Sequence, residues 1–215
     1  MKRFSYIRDP AAIYKASQEA VESAADLSRI PEDMRPIAIR LVHACGMPEI
    51  LRDLAYSRDA YSAGRQALLK GAAILADSRM VVDGIIRNKL PTRNHVITTI
   101  NEPAVLDDAR LRRITRASAA VEMWTPYLQD AIVAIGNAPT ALFRLMEVLG
   151  DGGPRPALII GLPVGFVGAA EAKETLIEHA GPIPYITLRG RFGGSALAAA
   201  AINALAVKDL GGPEE

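Results

Sequence analysis

Cysteine and tryptophan each occur once in 215 residues, and aromatic residues make up only 5%. The lone cysteine, Cys45, excludes an internal disulfide and suits a reducing compartment. The three histidines, His43, His95 and His179, are scattered. No C-x-x-C pair accompanies them, so the sequence offers no metal site of familiar spacing. Net charge is nearly lacking too: 25 Lys+Arg against 24 Asp+Glu leaves +1. Bulk charge therefore recruits no nucleic acid. Long hydrophobic runs are missing. The longest uncharged stretches, 156–170 and 192–207, fall short of the ~20 residues a membrane span needs. The start is charged too early for a secretory signal. These absences predict a cytoplasmic protein with no membrane and no nucleic-acid partner.

What is present is a globular balance, 50% hydrophobic and 23% charged, in a chain of single-domain length. The whole of 1–215 is read as one domain. Arginine outnumbers lysine 19 to 6, a bias that suits recognition of carboxylates or phosphates.

The N-terminal third reads as helices. Asp9-Pro10 is a cap followed by a first-turn proline, with apolar Ile13, Ala20, Val21 and Ala24 behind it. A second helix opens at Pro31 and stops at Gly46; a third covers about 59–70. Short apolar runs then alternate with helical stretches. Strands are predicted at 73–76, 96–100, 132–135, 157–160 and 185–188. Helices are predicted at about 78–89, 107–129, 139–149, 169–180 and 195–207. Unalternating apolar runs suit strands buried on both faces. The fold class is therefore α/β, a three-layer α/β/α domain. Its mainly parallel sheet has about five strands, and a helical N-terminal segment packs on it.

Such folds bind ligands beyond the carboxyl ends of the strands. Three glycine-bearing loops fall there: 136–140, 161–168 and 189–195. Their backbone amides are expected to face a ligand. None gives a dinucleotide fingerprint or a G-x-x-x-x-G-K-[ST] loop.

The second helix is the most informative segment. From Ile37 to Cys45 only Arg40 and His43 interrupt an apolar surface, which predicts burial all round. The two are three residues apart and share one face. A buried cation requires an acidic partner or an anionic ligand. The competing reading is a structural Arg–Glu pair with a satisfied core histidine. Ser17 sits inside the apolar stripe of the first helix. It either bonds its own backbone or points its hydroxyl into a pocket.

Several runs are distinctive together: Tyr6–Tyr14, Ala25–Arg29, Val42-His43-Ala44-Cys45-Gly46, Val133–Phe143, Pro163–Glu171 and Arg189–Ser195. They resemble the precorrin-8X methylmutase family, and the resemblance covers essentially the whole chain. It implies an isomerase that moves a methyl group from C11 to C12 of a tetrapyrrole, turning precorrin-8X into hydrogenobyrinic acid without a cofactor. It implies a homodimer with the substrate near the subunit interface. His43 would be the catalytic proton donor or acceptor. Ser17, Arg40 and Arg116 would bind substrate, with Gly190 and Arg191 added from the last glycine-rich loop. Where aerobic members often carry Thr after Val82-Asp83-Gly84, this chain has Ile85-Ile86. The alternatives are the cobalt-precorrin-8 methylmutase of the anaerobic pathway and a non-catalytic corrinoid carrier.

Overall fold

The computed structural model describes residues 4–207. The chain runs through α1 (Pro10–Ala24), α2 (Arg35–Cys45), β1 (Leu54–Tyr56), α3 (Ala60–Leu69), β2 (Ile74–Ala76) and α4 (Arg79–Gly84). It continues through β3 (Val96–Ile97), α5 (Pro103–Arg112), α6 (Arg116–Glu122), α7 (Thr125–Leu128), β4 (Ile132–Ile135) and α8 (Pro139–Gly150). It ends with β5 (Leu158–Gly161), α9 (Ala169–His179), β6 (Tyr185–Leu188) and α10 (Ser195–Ala206). The predicted punctuation is present. Asp9 caps α1 by accepting the Ala12 N–H at 2.7 Å, and Gly46 ends α2 in the left-handed region at φ 70°.

One six-stranded sheet organises the molecule, in the order β1-β6-β5-β4-β2-β3. All neighbours are parallel except β1, which runs antiparallel to β6 with Leu54 opposite Leu188. The central strands are buried on both faces because alternate residues serve two cores. Ile74, Ile132, Leu158 and Ile186 point to the side of α2, α3, α4 and α10. Leu75, Val133 and Ile159 point to the side of α6, α8 and α9.

The first side is two helices deep. α10 packs on β4 and β5 and is covered by α2 and α4, while α1 lies on α2. That layering corrects an expectation: α10, not α2, is the helix buried all round. In α2 the buried residues are Ile37, Ala38, Ile39, Leu41 and Val42, while His43 and Ala44 face out. Two further differences concern short elements. β1 has too few residues to show a period. The stretch predicted as one helix over 107–129 is three, because Arg113 adopts a left-handed conformation (φ 55°) and Thr115 starts a new cap. Among the described residues no helix is long and apolar enough to cross a membrane.

Candidate active site

Two helices build the first part of the site. The face of α1 that meets α2 carries the partly covered residues Tyr14, Ser17, Gln18 and Val21, spaced i, i+3, i+4, i+7. Of the apolar residues singled out in the sequence, Val21 lies on this face, while Ile13, Ala20 and Ala24 are exposed. Ser17 uses its hydroxyl across the helix pair: its Oγ lies 2.8 Å from Nδ1 of His43. A hydroxyl both donates and accepts, so this contact survives a change in the protonation of the ring. With Ser17 donating to Nδ1, the proton of a neutral imidazole sits on Nε2. Arg40, one turn before His43, is half-buried rather than buried, so it carries no full desolvation cost. Arg40 and His43 line a hollow of only about 20 Å³ with Tyr14, Gln18, Val21 and Ile39.

A second feature lies at the carboxyl edge of β2 and β4. Arg116, exposed at the start of α6, lines a cleft of about 530 Å³ with Arg79, Asn101, Asn137 and Thr140. Asp77 closes its floor. One carboxylate oxygen accepts the Gly136 N–H at 2.9 Å. The other accepts those of Asn137 at 2.9 Å and Ala138 at 2.7 Å. Burial pushes the Asp77 carboxyl up from the usual range, and the three amides pull it back. This corrects the expectation that the 136–140 loop turns its amides to a ligand; three of them hold Asp77. Gly136 is needed for another reason: a Cβ there would come within 2.7 Å of the Ser195 backbone.

The third feature joins the loops after β5 and β6. The Gly165 N–H donates to the Arg191 carbonyl at 3.2 Å, and Gly194 donates to Leu162 at 2.8 Å. A side chain on Gly193 would strike the Leu162 and Pro163 carbonyls. Gly190 takes the left-handed turn at φ 76°. Above this seam the Arg191 guanidinium lies 5.1 Å from the centre of the Phe166 ring, and Phe166 and Val167 are 87% and 89% exposed. Beneath it lies Lys173, fully buried, donating to the Phe192 carbonyl at 2.6 Å. Burial pushes this ammonium down to about 8.

The structure thus brings together Ser17, Arg40 and His43. It places Arg116 in a separate cleft, and Gly190 and Arg191 on the paired loops. Sequence reasoning missed Asp77 and Lys173. Lys173 had a legible signal, because it falls on the stripe Ala169, Ala172, Lys173, Leu176 that α9 buries. Among the described residues no group of three or more His, Cys, Asp and Glu is arranged to hold a metal ion.

Comparison with known proteins agrees along nearly the whole chain. The family model for precorrin-8X methylmutase matches residues 12–208. A precorrin-8X methylmutase of Pseudomonas aeruginosa is 52% identical over 94% of this chain and 98% of its own. One from a Sinorhizobium species is 48% identical over 96% and 98%. The crystal structure of precorrin-8X methylmutase from Thermus thermophilus superposes with a TM-score of 0.82 at 39% identity, covering 91% of this chain and 94% of that one. With matches of this extent in both sequence and fold, the chain belongs to the precorrin-8X methylmutase family.

Proposed function

We propose that His43, held by Ser17, is the proton-handling residue of this methylmutase, and that Arg40, Arg116 and Arg191 receive the carboxylates around the ring. The reaction is an isomerisation. The bond from the methyl group to C11 breaks as the bond to C12 forms, and no atom is gained or lost. A conjugated ring that accepts a proton or a strong hydrogen bond at a nitrogen becomes poorer in electrons, which favours migration of the methyl with its bonding pair. General acid assistance of this kind contributes roughly 10²–10⁴-fold. The single observation that carries the reading is the 2.8 Å contact from Ser17 to Nδ1, because it leaves Nε2 of an exposed imidazole for the ring. Guanidinium forks suit the carboxylates better than ammonium groups do.

The working unit we infer is a homodimer with the site near its interface. Two features support this. Pockets for small molecules usually hold about 300–1,000 Å³, and the hollow beside His43 offers about 20 Å³. The helix that carries Ser17 also leaves Ile13 47% exposed, and Phe4, Tyr6 and Ile7 ahead of it are exposed too. A second copy covering this face would enclose the ring and the apolar surface together. Light scattering is expected to give twice the chain mass; a monomer overturns this.

His43→Ala tests the mechanism. The variant is expected to keep its melting temperature and bind hydrogenobyrinic acid, while turnover of precorrin-8X falls at least about 100-fold. Retained turnover, or a large drop in melting temperature, removes His43 from the chemistry. A carrier without activity would show no turnover in the parent protein. Faster turnover of the cobalt-containing ring than of the metal-free one would reassign the substrate.

A further inference from the structure

Lys173 is the one lysine on the buried face of α9, and nothing in the methyl shift uses it. Its position costs free energy. An ammonium with no exposed surface loses its hydration, and Asp53 and Glu174 return only part of that loss as attractive charge. A methionine of similar length would fill the space without the penalty. The ammonium does make one well-formed contact, donating to the Phe192 carbonyl at 2.6 Å. That carbonyl follows Arg191 directly, in the loop that is also tied down by the Gly165 N–H on the Arg191 carbonyl and the Gly194 N–H on Leu162. A second tie comes from the adjacent residue of α9, where Glu174 pairs with Arg189 at the start of the loop. The exposed product of these contacts is the Arg191 guanidinium seated over the Phe166 ring.

We infer that Lys173 is a positioning residue, which holds the 189–194 loop from beneath so that Arg191 presents its guanidinium to a carboxylate of the tetrapyrrole. The inference rests on the reading that Arg191 touches the ring. Lys173 meets no substrate; it acts through the Phe192 carbonyl. Without the ammonium the carbonyl is free to turn to water, and the loop samples orientations in which the guanidinium is misplaced. Binding then carries the cost of ordering the loop.

The distinguishing property is that function and stability move apart. Equilibrium binding of hydrogenobyrinic acid, steady-state turnover of precorrin-8X and melting temperature are measured on Lys173→Met, Arg191→Ala and the double variant. Lys173→Met is expected to weaken product binding about tenfold, a loss of the size of one charged hydrogen bond. KM should rise in parallel while kcat stays within about twofold. The melting temperature should be unchanged or higher. Arg191→Ala should weaken binding at least as much, and the double variant should bind no worse than Arg191→Ala alone, because one contact is being lost by two routes. Lys173→Gln, which retains an N–H donor, should recover part of the affinity.

Four results overturn the inference. Losses from Lys173→Met and Arg191→Ala that simply add would show independent roles. Unchanged binding in Lys173→Met beside weakened binding in Arg191→Ala would leave the reading of Arg191 standing and the inference fallen. A collapse of melting temperature in both Lys173→Met and Lys173→Gln would make the lysine structural. If Arg191→Ala binds as the parent does, the substrate contact itself falls, and the inference with it.

Discussion

Helices α1 and α10 are both rich in alanine and both cover the same side of the sheet, yet they sit at opposite extremes. In α10 every residue from Leu197 to Ala206 is buried. In α1 no residue is. Composition does not set this difference; neighbours do. α10 has strands on one side and α2 and α4 on the others, whereas α1 rests on α2. A helix surrounded on all sides is apolar almost all round, and its buried Asn203 is satisfied by the Ile86 N–H and the Gly84 carbonyl. A helix with one neighbour is free to use Ser17 and Gln18 where it makes contact. The inner helix carries the stability of the layer, and the outer one carries the hydroxyl that meets His43.

The largest effect that sharpens this contrast is expected from Leu205→Ala in α10. Leu205 fills space against Gly64 of α3, and truncation should cost about 2–5 kcal/mol in denaturant titration. Arg65→Met comes next. Arg65 donates to both the Leu205 and Ala206 carbonyls at 2.7 Å and so caps α10 from α3. Loss of these charged bonds should cost about 1.5–3 kcal/mol. Gly136→Ala forces the start of α10 away from β4, and we expect about 1–3 kcal/mol with a lowered melting temperature. At the far end, Ile13→Ala in α1 should change the stability of the isolated chain by less than about 0.5 kcal/mol. It should instead weaken self-association in light scattering. Equal costs for Leu205→Ala and Ile13→Ala would break the contrast outright.

The same contrast explains what was legible in the sequence. The run 132–135 could be read as a strand because both faces of the sheet demand apolar residues there, and 185–188 because only Thr187, which donates to the Gly161 carbonyl, breaks its run of apolar and aromatic residues. β1 could not, since Leu54, Ala55 and Tyr56 owe their strand to pairing with β6, more than a hundred residues away. Periodicity misassigned burial to α2 because local pattern does not reveal which side of a helix the chain will later cover. The face of α1 that docks was hidden for a related reason: its members are Tyr14, Ser17, Gln18 and Val21, and only two of them are apolar or aromatic. Arg40 and His43 stood out as the polar breaks in α2, on one face by helix spacing, and Ser17 as the hydroxyl in the stripe of α1; their roles came from the family resemblance. Asp77 was passed over because its partners are backbone amides some sixty residues on, which no side-chain motif announces.

Asp77 also gives the cleft beside Arg116 a chemical preference. The start of a helix after a strand is where many α/β proteins receive a phosphate, through free amides and the positive end of the helix. Here the chain supplies the acceptor itself, the Asp77 carboxyl on three amides ahead of α8. A phosphorylated metabolite reaching that point meets a seat already taken by a carboxylate. The chain thus fills with its own side chain the place where another α/β protein would seat a phosphate.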